Sequence, residues 1–210
     1  MPPINLLIKP ASGLCNMHCD YCFYCDITEK RAQASYGIMT EQTLRNVIKK
    51  TLRAAEGSCT IAYQGGEPTL AGLDFFKKSI EYQKRFNTKG LTIHNALQTN
   101  GYGITAEWCR FFKENDFLIG LSVDGLKETH DMYRHSSSGA PTYDRIMETA
   151  QLLKEYGVDF NILTVVNRQT AGQVKKIYQS YKSRGFGFLQ FIACLDPIGE
   201  PCGQRDYSLT

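Results

Sequence analysis

The chain lacks any apolar run near the ~20 residues that a membrane-spanning helix requires, which argues against a membrane protein. Its start, Met1-Pro-Pro-Ile-Asn, lacks the basic stretch and apolar stretch of a secretory signal. Charge of one sign is also scarce. A formal net charge of +3, with Lys and Arg unclustered, gives no electrostatic footprint for nucleic acid. The eight cysteines are not read as a disulfide framework. A chain of 210 residues can bury one good core without staples, and no signal directs it to an oxidising compartment. The expectation is a cytoplasmic single domain whose thiols are reduced or bound to metal.

The most informative feature present is the spacing Cys15-x-x-x-Cys19-x-x-Cys22, just after a short apolar strand. Three thiolates can hold three irons of a four-iron, four-sulfur cluster, whose usual complement is four. The fourth iron is then open to an exogenous ligand, as a catalytic metal keeps one position free. S-adenosyl-L-methionine can fill that position through its amino and carboxylate groups, and an electron from the cluster can then cleave the sulfonium. Free thiols or a zinc site completed by Cys25 or His18 are the plainer readings of the triplet alone.

The rest of the chain alternates strand and helix. Strands are expected at 4–8, 59–64, 91–98, 117–123, 159–166 and 188–193. Helices are expected at 41–56, capped by Thr40, at 73–86, from Thr105 to about 115, from Thr142 to 156, and from Thr170 to 184. The segment from Asp124-Gly125 to Pro141 reads as a polar loop. This order predicts an open (β/α)6 partial barrel of parallel strands with right-handed crossovers, its strands buried runs rather than alternating ones. Active residues then gather at the C-terminal strand ends. Ser208-Leu-Thr210 reads as a helix N-cap with no helix behind it, so the last helix is expected to be missing.

Several groups fall at those strand ends. Gly65-Gly66-Glu67-Pro68 offers backbone acceptors and the Glu67 carboxylate to an ammonium, with a tight turn as the alternative. The Ser122 hydroxyl can bond a carboxylate or ribose. Asp124 either touches the ligand or shapes an Asp-Gly turn. Arg134 can fork onto a carboxylate or lie solvated at the surface. Tyr21 can stack near an adenine or pack the loop, and Leu195 can offer adenine an apolar surface or belong to the core. His130 has no evident partner. Cys25, Cys59, Cys109, Cys194 and Cys202 read as free, mostly buried thiols.

Through Cys15, Cys19, Cys22 and Gly65-Gly66-Glu67-Pro68 the chain resembles the radical S-adenosylmethionine superfamily. The strings Leu7-Ile-Lys-Pro-Ala-Ser, Ser35-Tyr-Gly-Ile-Met, Leu97-Gln-Thr-Asn-Gly and Phe188-Leu-Gln-Phe-Ile-Ala-Cys-Leu-Asp-Pro resemble the anaerobic sulfatase-maturating enzymes within it. The resemblance implies oxidation of a sulfatase cysteine or serine to Cα-formylglycine by a 5′-deoxyadenosyl radical. It implies a [4Fe-4S] cluster on Cys15, Cys19 and Cys22, and S-adenosyl-L-methionine contacted by Tyr21, Gly66, Ser122, Arg134 and Leu195. It further implies a sulfatase polypeptide as substrate and flavodoxin or ferredoxin as electron donor. Residues 1–210 then correspond to the radical core domain. A C-terminal cysteine-rich (SPASM-type) domain, holding auxiliary clusters and the catalytic base, lies beyond it in that family. Turnover by this chain alone is therefore expected to be poor. The neighbouring alternative is another radical peptide maturase, such as a thioether-forming one.

Overall fold

The computed structural model describes residues 2–209. The chain runs β1 (Ile4–Ile8), β2 (Met17–Cys19), α1 (Phe23–Glu29), α2 (Glu41–Ala54), β3 (Ser58–Tyr63), a 3-10 turn (Pro68–Ala71), α3 (Leu73–Phe86) and β4 (Thr92–Thr99). It continues through α4 (Ala106–Glu114), β5 (Phe117–Ser122), α5 (Lys127–Asp131), β6 (Arg134–Ser136), α6 (Tyr143–Glu155), β7 (Phe160–Val166), α7 (Arg168–Gly172), α8 (Val174–Ser183) and β8 (Leu189–Ala193). Six strands form one parallel sheet in the order β1-β3-β4-β5-β7-β8. This curled sheet is the partial barrel that the strand–helix alternation predicts. Among the described residues no helix follows β8, and no helix is long and apolar enough to cross a membrane.

Three expectations change. First, the strands alternate in burial. In β3, Cys59, Ile61 and Tyr63 are buried while Ser58, Thr60 and Ala62 are only half-covered. The buried face packs on helices: the Tyr63 ring meets Phe76 of α3 edge-on at 4.9 Å between centroids, and Leu44, Ile48 and Leu52 of α2 join the same core. Each such side chain contributes roughly 1.5–3 kcal/mol on burial. The opposite face lines the open inside of the half barrel, so it needs no apolar filling. Second, the supposed polar loop after β5 contains α5 and β6, and β6 pairs antiparallel with β2. Third, the helix expected from Thr170 is two helices. Asn167 caps the first by accepting from the Thr170 N–H at 2.9 Å. Ser208 opens no helix among the described residues; its hydroxyl accepts from the Arg205 N–H at 3.0 Å, and Thr210 lies outside them.

The helix ends follow local chemistry. Thr40 caps α2 by accepting from Thr43 N–H at 3.2 Å. Thr142, at the start of α6, makes no such cap. Its hydroxyl is committed to the Arg134 carbonyl at 2.9 Å, which ties α6 to the ribbon above the sheet.

Candidate active site

The cysteine loop leaves the C-terminal end of β1 and is held in place by the β2–β6 ribbon. The ribbon's register sets Cys19 opposite Arg134. The Asp20 N–H donates to the Tyr133 carbonyl at 3.0 Å, and Cys22 N–H to Cys19 O at 2.9 Å, so Cys19 and Cys22 sit on a tight, pinned turn. Cys22 is the N-cap of α1. Two amides converge on the Cys15 sulfur, Met17 N–H at 3.4 Å and Asn100 Nδ2 at 3.6 Å, a feature that tunes iron–sulfur sites. Burial pushes the Cys19 thiol up to about 12, against the pull of Arg134. A hydrogen bond from Cys25 draws Cys22 down to about 6.

The Gly65-Gly66-Glu67 turn lies against this loop. Glu67 N–H donates to Leu14 O at 2.8 Å. Gly66 has φ +56°, and a Cβ there would sit 2.2 Å from the Leu14 carbonyl oxygen. Only glycine permits that approach. The Glu67 carboxylate is 1% exposed and accepts from Thr69 N–H (3.0 Å), Thr69 Oγ1 (2.7 Å), Thr99 Oγ1 (2.8 Å) and Asn100 N–H (2.8 Å). It ties the ends of β3 and β4 together. Asn100 extends the tie to the cysteine loop through Asn16 Oδ1 at 2.8 Å.

Asp124, Arg134 and Tyr21 form one buried network. The Tyr21 hydroxyl donates to Asp124 Oδ2 and accepts from Arg134 Nη1 at 3.1 Å. Arg134 Nη1 lies 3.9 Å from Asp124 Oδ2, and Asp124 Oδ1 accepts from Val165 N–H at 2.9 Å. Burial opposes the charge on Arg134, yet Cys19, Tyr21 and Asp124 hold it well above its ordinary value, so it stays charged. Arg134 is thus not a surface arginine, and its Nε is buried with no hydrogen-bond partner. The Tyr21 ring is boxed edge-on by Tyr133 and Tyr207, each 6.2 Å away, and its hydroxyl is committed to the network.

His130, without evident partner in the sequence, is fully buried and supports this network. Its Nδ1 accepts from Asp124 N–H at 3.1 Å and its Nε2 pairs with Thr142 Oγ1 at 3.1 Å. Burial, with Arg134 and His135 nearby, pushes its pKa well below 6.5. The imidazole is therefore neutral in the fold, while in the unfolded chain it takes a proton below about 6.5. Its contribution to stability is full above pH 6.5 and is lost as pH falls below that value. Thermal melts from pH 7.5 to 5 should show Tm declining below about 6.5, with a shallower decline in His130→Gln; equal slopes would refute this assignment.

Ser122, at the end of β5, is half-buried and accepts from Gln98 Nε2 at 3.1 Å. Leu195 is 63% exposed, so it is not core. It lines a 490 Å³ cavity with Cys19, Tyr21, Cys22 and Tyr133. Of the other cysteines only Cys59 and Cys109 are buried; Cys25 and Cys194 are half-buried and Cys202 is exposed. Sequence reasoning missed Asn100, Tyr133 and Gln98 and found no partner for His130; the string Leu97-Gln-Thr-Asn-Gly, which carries Gln98 and Asn100, was the visible signal.

The groups fit a cluster and a zwitterionic sulfonium cofactor. Three thiols stand within one eight-residue stretch around β2, and among the described residues no three His, Cys, Asp or Glu side chains close in on a single ion. Thiolates sharing a four-iron cube each hold a different iron and need not converge so. The unpartnered Arg134 Nε calls for an acceptor such as a carboxylate.

Comparison with known proteins agrees with this geometry. The Radical SAM superfamily profile matches residues 10–180. The chain is 50% identical over 209 residues to a cysteine-type anaerobic sulfatase-maturating enzyme of Clostridium perfringens, covering all of this chain and 56% of that protein. It is 34% identical over 197 residues to a serine-type enzyme of Bacteroides thetaiotaomicron, covering 93% and 47%. The chain thus spans about half the length of the curated relatives it matches. A solved structure of native anSMEcpe with bound AdoMet and the Cp18Cys peptide superposes with TM-score 0.93 at 50% identity, over 99% of this chain and 55% of that one. Streptococcus suis SuiB bound to its precursor peptide, at 17% identity and TM-score 0.68 over 92% of this chain and 40% of that one, shares the fold. With the cysteine triplet, the glycine turn and the half barrel in place, the chain belongs to the radical S-adenosylmethionine superfamily, whose members use a [4Fe-4S] cluster and S-adenosylmethionine.

Proposed function

We propose that this chain is the radical core of an enzyme that oxidises a sulfatase cysteine or serine to Cα-formylglycine. The observation that carries the reading is the 50% identity, along the whole chain, to cysteine-type maturating enzymes. The weaker identity to serine-type enzymes, 34–36%, favours cysteine as the target. Cys15, Cys19 and Cys22 would hold the cluster. Backbone groups of Gly65 and Gly66 would take the cofactor's ammonium, Arg134 and Ser122 its carboxylate or ribose, and Leu195 would pack on the adenine. Tyr21, Asp124 and Glu67 would hold these groups in position. When bound, the cluster and S-adenosylmethionine would supply the radical chemistry for hydrogen abstraction at the target Cβ. The chain's own task is to orient the cofactor and the peptide and to exclude water. No residue here is assigned as the base that completes the oxidation. The proposal includes a cytoplasmic setting, a flavodoxin or ferredoxin as electron donor, and no nucleic-acid or membrane partner.

Anaerobic reconstitution, followed by S-adenosylmethionine, reductant and a sulfatase-motif peptide, tests it by mass spectrometry. 5′-Deoxyadenosine formed with the sulfatase peptide present, with any peptide aldehyde at low yield, is the supporting result. A thioether product on a precursor peptide, with no aldehyde on the sulfatase peptide, would overturn it.

A further inference from the structure

Gly120 stands in the middle of β5, where glycine weakens a strand, and its φ does not lie in the left-handed region. The reason is space. A Cβ at Gly120 would fall 2.0 Å from Gln98 Oε1 and 2.9 Å from Gln98 Cδ. Gln98 and Gly120 are register partners on β4 and β5. The Gln98 side chain therefore lies across the bare glycine and reaches Ser122, two residues on and on the same inward face, donating Nε2–H to Ser122 Oγ at 3.1 Å. A hydroxyl that accepts one hydrogen bond from an amide donor keeps its own proton to give elsewhere. The amide thus fixes which way Ser122 can act.

We infer that Gln98 is a positioning residue for S-adenosylmethionine. Seated in the notch left by Gly120, it holds the Ser122 hydroxyl as a donor toward an oxygen of the bound cofactor. The inference rests on the proposed contact between Ser122 and the cofactor. Removing the amide donor leaves Ser122 free to rotate its proton away from that oxygen. Adding a methyl at Gly120 ejects the amide and has the same effect with both Gln98 and Ser122 unsubstituted.

The test is a cycle of variants in this 210-residue chain, each cluster-loaded anaerobically, with S-adenosylmethionine affinity measured by equilibrium binding. Gln98→Met keeps the side chain's bulk and removes its donor. It should weaken binding about tenfold, the size of one hydrogen bond to a charged or polar group. Gly120→Ala should do likewise. In a Ser122→Ala background, Gln98→Met should change affinity by less than about twofold, because its effect travels through Ser122. Iron content and Tm of each variant report cluster loading and folding separately from affinity. Unchanged affinity in Gln98→Met, at full iron content, would overturn the inference. So would an undiminished effect in the Ser122→Ala background, since Gln98 would then act by another route. If Ser122→Ala alone leaves affinity unchanged, the assumed Ser122 contact is what fails, and the inference falls with it.

Discussion

Replacing any one of Cys15, Cys19 or Cys22 by alanine should drop iron and sulfide to the level of the cluster-free chain. It should also lower S-adenosylmethionine cleavage at least ~10³-fold, a loss of about 4 kcal/mol in barrier terms. Each thiolate of such a triplet holds its own iron, so two cannot substitute for three. Cys25→Ala is the matched control. Cys25 lies beside Cys22 and donates to it, yet it stands outside the spacing, and its loss should leave iron content near that of the parent. Iron and sulfide analysis after anaerobic reconstitution reads both results. Iron retained in a triplet variant, or lost equally in Cys25→Ala, would redraw the ligand set. The Cys15 and Cys22 variants should keep their Tm before reconstitution, because neither sulfur belongs to the large core, whereas Cys19 packs against its edge.

The second large effect concerns Arg134. Its side chain is 7% exposed and its partner Asp124 1%. Arg134→Met leaves the Asp124 carboxylate buried beside Tyr21 without its cation. Breaking a buried pair in this way costs about 3–5 kcal/mol, which for a chain of this size lowers Tm by roughly 6–20 °C. The double variant Arg134→Met with Asp124→Asn removes both charges and should recover more than half of that loss. Calorimetry of the three chains decides it. A drop of under ~2 °C in Arg134→Met, or no recovery in the double variant, would mean that the pair does not hold the loops together.

Much of this was legible in the sequence because it rests on short-range rules. The cysteine spacing, the Gly65-Gly66 turn and the strand–helix alternation are local patterns, and they gave the barrel and the strand ends correctly. The β2–β6 ribbon escaped because three-residue strands carry almost no periodicity, and its pairing joins residues over a hundred positions apart. Missing it made Arg134 look like a solvated arginine, when the ribbon is what carries it under cover beside Cys19. The burial pattern was misjudged for a related reason. Parallel strands covered on both faces read as unbroken apolar runs, but the inner face here lines an open half barrel and carries Asn, Gln, Ser and Thr. Glu67 and Tyr21 were visible as residues of the site, while their inward orientation depended on partners from β4, β5 and β6 that no local reading supplies.

The strand order of the main sheet follows the chain order without a single exchange. During synthesis each new strand can therefore dock on the one just made, with no later strand needing to be inserted between two earlier ones. The site does not share this simple schedule. Its thiols emerge first, whereas Arg134, which faces Cys19 across the ribbon, follows Cys22 by ~110 residues. At ribosomal rates of ~5–20 residues per second that interval is roughly 5–20 s. For that time the nascent chain carries three closely spaced, unshielded sulfhydryls, and the reducing power of its surroundings sets how many chains reach the ribbon-closed state with all three intact.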